Sequence, residues 1–205
     1  MAFPMRIFLA AVTAVSLTLP VAADDVSVNP LTAPKGKYVL DPNHTLATFC
    51  IKHMGVSTYC GRFNKMTGEA SFNGAQPEKS SAKVTIDIAS VDTPSDALDA
   101  KLRDEFFETS KFPAATFETT AISVTGKTTG QITGNLTLHG VTKPVTLKTT
   151  FNGGRAHPIR GNYVLGFSAE TTLKHADFAF PDVSWGIFVG DEVTLMISVE
   201  MQADK

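Results

Sequence analysis

Residues 192–201 read Glu-Val-Thr-Leu-Met-Ile-Ser-Val-Glu-Met, with Val193, Leu195, Ile197, Val199 and Met201 on one parity and Thr194, Met196, Ser198 and Glu200 on the other. That is a period of two, the signature of a strand with one apolar face. The same alternation recurs at Val84/Ile86/Ile88, Ile132/Leu136/Leu138, Val145/Leu147/Phe151 and Tyr163/Leu165/Phe167. A chain made of many such strands buries its apolar faces most simply by curling them into a sandwich or a closed barrel. The fold class is therefore all-β and antiparallel. Candidate strands cover roughly 38–52, 57–72, 82–91, 115–125, 130–139, 144–151, 161–173 and 191–201. Eight strands make a barrel just wide enough to be filled by its own side chains or to hold one slender apolar ligand.

One segment departs from this pattern. In 93–109, Thr93 suits an N-cap, Pro94 the first helical position, and Asp96 completes a variant of the capping box. Leu98, Leu102 and Phe106 follow at intervals of four, one apolar stripe of a short helix, with Asp99 and Arg103 spaced to pair on the outer side. Such a helix can cover one end of a barrel. A second departure, 173–190, carries Phe178, Phe180, Trp185 and Phe188 between prolines and glycines and reads as an aromatic-rich loop.

The N-terminus is laid out as an export signal. Arg6 is the only charge before Asp24, an apolar run extends from residue 7 to 19, and Val21-Ala22-Ala23 offers small residues for cleavage after Ala23. The run is shorter than the ~20 residues of a spanning helix. The organisation is then a signal peptide at 1–23, an extended lead-in at 24–37, a barrel at 38–201 and a charged tail at 202–205. Removing the signal takes one of the 18 basic residues and none of the 20 acidic ones, leaving a formal balance of −3. Nothing gathers positive charge into a patch, which argues against nucleic acid and an anionic membrane surface as partners. A lipid-facing barrel is disfavoured by the charged C-terminus, the capped helix and the absence of paired aromatic girdles.

In an oxidising compartment Cys50 and Cys60 become a candidate disulfide. Gly55 lies midway between them, so a tight reversal there sets the two cysteines opposite each other on adjacent strands. The five histidines, His44, His53, His139, His157 and His175, occur in no metal-binding spacing. No nucleophile, base and orienting acid are grouped, so no catalytic residues, cofactor or metal are assigned. His139, in Leu138-His139-Gly140, sits at a hairpin reversal, where a turn role is the economical reading.

Several segments together resemble the YceI-like family, lipocalin-like polyisoprenoid-binding proteins of the bacterial periplasm. They are Tyr38-Val39-Leu40-Asp41-Pro42-Asn43-His44-Thr45, Phe49-Cys50-Ile51-Lys52-His53-Met54-Gly55 and Gly61-Arg62-Phe63. To these are added Leu102-Arg103-Asp104-Glu105-Phe106-Phe107, Phe112-Pro113-Ala114-Ala115-Thr116-Phe117, the Leu136–Val145 turn region and Val189-Gly190-Asp191-Glu192-Val193. The segment Lys174-His175-Ala176-Asp177-Phe178-Ala179 departs from the family pattern, and the cysteine pair is not a family-wide feature.

The resemblance implies a periplasmic, extended eight-stranded lipocalin-like barrel whose pore holds a long isoprenoid lipid without chemistry on it. The ligand would be a polyprenyl phosphate or an isoprenoid quinone. Strand phase and the resemblance together assign Phe49, Ile51, Phe117, Phe151, Phe167 and Trp185 to the pore, with Phe106 and Phe107 near one end. His53, Arg103 and His175 are assigned to polar contacts near the head group. The membrane then matters only as source or sink of lipid, and a homodimer is left open. Two other readings compete: a quinone- or lipid-dependent enzyme using His53, Asp41 or the cysteines, and a barrel filled by its own side chains that serves as an interaction module.

Overall fold

The computed structural model describes residues 26–183 and 186–204. The expected signal peptide and Trp185 lie outside the described residues.

The strands are β1 (Gly36–Leu40), β2 (Leu46–His53), β3 (Ser57–Phe63), β4 (Met66–Phe72), β5 (Ser81–Asp87), β6 (Val91–Asp92), β7 (Ala114–Val124), β8 (Thr129–Leu138), β9 (Val141–Ala156), β10 (Tyr163–Lys174) and β11 (Val189–Ala203). All pair antiparallel. A ring of eight, β1-β4-β5-β7-β8-β9-β10-β11, closes where β1 meets β11, while β2, β3 and β6 extend the wall beyond β11. The fold class is the one expected.

Three of the eight predicted strands are each broken in two. Residues 38–52 become β1 and β2, 57–72 become β3 and β4, and 82–91 become β5 and β6. At every break the inward parity changes from even on β1, β4 and β5 (Tyr38, Leu40, Met66, Ala70, Val84, Ile86) to odd on β2, β3 and β6 (Ala47, Phe49, Gly61, Phe63, Val91). Neighbouring strands turn the same corner together, because a one-residue slip in any one of them would send its apolar set outward.

The ring is complete at one end, here the base, and parts at the other, the mouth. Pairing of β9 with β10 runs from Tyr163↔Ala156 only as far as Glu170↔Lys148, so 141–147 and 171–174 form the two lips of a seam. Pro144 falls in the stretch of β9 with a single neighbour, the kind of place where a sheet tolerates proline. On the opposite side β7 pairs with β5 and β8 but not with β6, and β6 is left as an edge. Segment 93–107 covers this second gap.

The cover differs from expectation in detail. Helix α1 is Asp96–Lys101, and its N-cap is Ser95, whose Oγ accepts the Leu98 N–H at 3.3 Å. Thr93 is not the cap because its N–H and Oγ1 both donate to Asp99 Oδ1, at 2.9 and 2.6 Å. Asp99 is buried and turned toward Thr93, away from the outer side where pairing with Arg103 was expected. After α1 the chain widens, Phe107 N–H reaching Leu102 O at 2.7 Å, five residues back. Leu98, Leu102, Phe106 and Phe107 pack with Phe63, Ile88, Val91 and Ala115.

The ends of the predicted barrel also move. Ser27 bridges Gly154, and Ala33 is buried against the base cluster, so the lead-in is packed against the wall. Gln202 and Ala203, assigned to the tail, are ladder residues of β11 paired with Val39 and Tyr38.

Candidate functional site: the barrel lumen

Opposed residues of an antiparallel ladder share a face, so the registers stack the lumen into rows. From mouth to base these are Ile51–Val193–Leu173, Phe49–Leu195–Thr171, Ala47–Ile197–Ala169–Thr149, Val199–Phe167–Phe151 and Leu40–Met201–Leu165–Gly154. The facing wall contributes Ala70 opposite Ala82, Gly68 opposite Val84, and Phe117 opposite Leu136. The middle of the lumen thus mixes small residues, Ala47, Ala169, Thr149, Ala70, Ala82 and Gly68, with larger apolar ones such as Ile197 and Val84.

The base is solid. Tyr38 and Leu165 are each 1 % exposed, the Tyr38 hydroxyl donates to Pro34 O at 2.8 Å, and Phe151 stands 5.3 Å from Phe167 and 6.1 Å from Phe72. Above it, the inward residues Ile51, Phe117, Leu147, Leu173, Val193 and Leu195 are only partly buried although they point into the barrel. Inward apolar side chains that keep part of their surface accessible mark unfilled space.

Glycines enlarge that space. A Cβ on Gly61 would lie 2.5 Å from Phe49 Cζ, and one on Gly154 would lie 2.6 Å from Tyr163 Cε1; Gly134 stands in the same relation to Phe117. Each ring is seated against the wall where a side chain is missing, which keeps it from crossing the lumen.

At the mouth, Phe106 and Phe180 stack at 4.4 Å, Phe107 lies 5.2 Å from Phe106 and 5.8 Å from Phe63, and Phe49 lies 5.5 Å from Phe63. Phe178, 2 % exposed, fills the seam against Leu136 and Val145. Outside it a cleft of about 410 Å³ is bordered by Lys143, Thr146, Thr172, Lys174 and Asp177.

Of the residues assigned from sequence, Phe49, Ile51 and His53 share the inward parity of β2, Phe117 belongs to the seam cluster, and Phe151 and Phe167 floor the lumen. His175 Nδ1 is 3.2 Å from Asp191 Oδ1, and its ring is 6.4 Å from Phe106, which joins it to the turn carrying Arg103. His53 is opposite Val189, two residues before Asp191. The structure brings His175 and the Arg103 turn together at the mouth, while Phe151 and Phe167 lie at the opposite end.

Sequence reasoning missed Phe63, the wall glycines and the burial of His139. The ring of His139 is held 4.1 Å from Phe112 and 5.0 Å from Phe180, with Nε2 3.3 Å from Glu108 Oε2 but without hydrogen-bond geometry. Its turn role holds too: His139 and Gly140 have φ of 49° and 75°, the requirement of a two-residue hairpin.

Cys50 and Cys60 are directly opposed and disulfide-bonded. They occupy the outward parity of β2 and β3, away from the lumen.

A second polar cluster lies in the β1–β2 break. Asp41 accepts from Asn43 N–H at 2.9 Å and from Gln202 Nε2, and meets His44 Nδ1 at 3.0 Å. Burial pushes the Asp41 carboxyl up, but hydrogen bonds from His44, Asn43 and Gln202 outweigh this and hold it below its ordinary value. The bond to Asp41 correspondingly raises His44. Asp41, His44 and Glu200 are the one group of three potential metal ligands among the described residues; the Asp41 oxygens are already engaged by protein donors.

A closed antiparallel barrel with an apolar, partly unfilled lumen defines a small-ligand-binding barrel of the lipocalin-like kind. Residues 38–201 match the YceI-like domain, and the chain belongs to that family. It is 43 % identical over 158 residues to a UPF0312 protein of Pseudomonas aeruginosa, covering 77 % of this chain and 81 % of the relative. Among solved structures it is similar to BcnA of Burkholderia cenocepacia (TM-score 0.70, 26 % identity, 78 % of this chain and 98 % of that one). It also resembles a YceI protein of Campylobacter jejuni (0.66, 31 %, 76 % and 91 %). A polyisoprenoid-binding domain from Saccharophagus degradans shares the fold (0.64, 18 %, 83 % and 100 %). Among the described residues no helix is long and apolar enough to cross a membrane.

Proposed function

We propose that this protein is an exported carrier that holds one long isoprenoid lipid, a polyprenyl phosphate or an isoprenoid quinone, in the barrel lumen without acting on it chemically. The observation that carries this reading is the mostly small row Ala47–Ile197–Ala169–Thr149, below the partly buried apolar row Phe49–Leu195–Thr171, between a packed aromatic base and an aromatic mouth. Withdrawing a hydrocarbon from water is worth ~0.8 kcal/mol per CH2, so a narrow apolar tube gains most from a long slender tail. His53, Arg103 and His175, at the mouth end, would meet the polar head. The fold shared with a polyisoprenoid-binding domain supports the ligand class. The N-terminal signal pattern supports export to the periplasm.

The test is native mass spectrometry of the exported protein purified without detergent, followed by organic extraction. One isoprenoid per chain is expected. An empty chain that also refuses added polyprenyl phosphate and quinone would mean a barrel filled by its own side chains.

A further inference from the structure

Four apolar side chains stand in solvent at the mouth: Val56 (84 % exposed), Ile187 (81 %), Met54 (63 %) and Phe188 (45 %). They occupy two neighbouring reversals, the β2–β3 turn and the end of the β10–β11 loop. A hydrogen bond from Met54 N–H to Phe188 O at 2.7 Å and the His53↔Val189 pairing tie these reversals together. The turn has positive φ at Met54 (53°) and Gly55 (70°), so this apolar tip is held by backbone geometry.

The geometry points to a bilayer surface as the occupant of this tip, which inserts its apolar side chains and sets the lumen mouth against the lipid. The inference rests on the carrier reading. Three observations select a membrane over a second copy of the chain. Two turn tips with four apolar side chains are far too small for the ~800 Å² per partner of a stable dimer, but suffice for shallow interfacial insertion. The tip is continuous with the mouth: His53, the residue before Met54, is on the inward parity of β2, and Val189, the residue after Phe188, pairs with it. The charges beside the tip are of both signs and form no basic patch: Lys174 stands opposite Glu192, His175 beside Asp191, and Lys52 keeps its charge while donating to Thr58 Oγ1. Insertion is therefore apolar in character and does not require an anionic surface. A tail passing from bilayer to lumen through this end would avoid exposing its CH2 groups to water.

The experiment compares the full wild-type chain with Val56→Ser/Ile187→Ser, two exposed positions whose change leaves the core alone. Flotation with phosphatidylcholine vesicles, and separately with phosphatidylethanolamine/phosphatidylglycerol vesicles, should show wild-type binding to both. The double variant should bind roughly tenfold or more weakly. Absence of wild-type binding to either vesicle overturns the inference. So does binding that requires the anionic lipid and vanishes in high salt, since that is electrostatic adsorption. So does a wild-type dimer that the double variant converts to monomer. Loading of undecaprenyl phosphate from ethanol is measured in parallel and should be equal in both proteins. Failure of both to load rejects the carrier reading on its own, because flotation is read without that ligand.

Discussion

The ring of Phe49 is seated on Gly61, its partner directly across the β2–β3 ladder, so closely that a methyl group there would meet Cζ at 2.5 Å and Thr93 Cγ2 at 2.8 Å. Gly61→Ala should displace the ring toward the lumen and strain the contact with the α1 segment, at a cost of about 1–3 kcal/mol. Denaturant unfolding checks the stability, and isoprenoid loading should fall with it, because the displaced ring stands in the path of the tail.

Phe117→Asp places a carboxylate on the lumen wall opposite Leu136. With the strand content intact by circular dichroism, retention of isoprenoid should drop roughly tenfold or more, since an unpaired charge beside a hydrocarbon is heavily penalised. A folded variant that retains lipid at the wild-type level would count against the lumen as the binding site.

Breaking the Cys50–Cys60 bond, by Cys50→Ser/Cys60→Ser or by reduction, frees a loop with a sequence separation of 10. The loss should be about 2–3 kcal/mol, a fall in Tm of about 5–10 °C. Lipid loading at low temperature should be unchanged, because both cysteines face outward. Scanning calorimetry and a loading assay separate the two effects.

The Asp41–His44 pair predicts a stability optimum in mild acid. His44 is raised by Asp41, so its contribution is fully present below its ordinary 6.5 and is lost as pH climbs through the higher folded-state value. Asp41 is lowered, so its contribution is present above its ordinary 3.8 and is lost as pH falls through the lower folded-state value. Tm should rise from pH 8 toward 5.5 and fall again in strong acid. In His44→Gln the rise between pH 8 and 5.5 should shrink.

Each of the eight predicted strands contains one strand of the ring, and in β5, β8, β9, β10 and β11 the period-two alternation had written inside and outside into the residues. The three breaks were not legible. A switch of parity, from even to odd between Leu40 and Ala47 or from odd to even between Phe63 and Met66, becomes visible only when the neighbouring strand is seen to turn at the same place. The seam between β9 and β10 left one trace, Pro144. Thr93 fits the cap rule as well as Ser95 does, and only the tertiary bond to Asp99 decides between them. At the lumen, parity identified Phe49, Ile51 and Phe117, but the depth of Phe151 and Phe167 depends on where the rows fall between base and mouth. Gly61, Gly134 and Gly154 carry no side chain to attract notice, and their use appears only once a ring from elsewhere is seen against each.

Strand β11 pairs with β10 along one edge and with both β2 and β1 along the other. It is also the last strand of the cylinder in chain order. Until residues 189–203 are available, β10 and the β1–β2 wall present open edges with nothing between them, and no partial product can be a closed cylinder. Closure thus waits for β11, and the closing contact joins segments more than 150 residues apart, the arrangement that makes folding slow. During that delay the unpaired edges are the hazard to be shielded. Loss of residues 201–203, the β11 rungs that meet β1, should then act as a switch between a cylinder and an open, aggregation-prone sheet, with little in between.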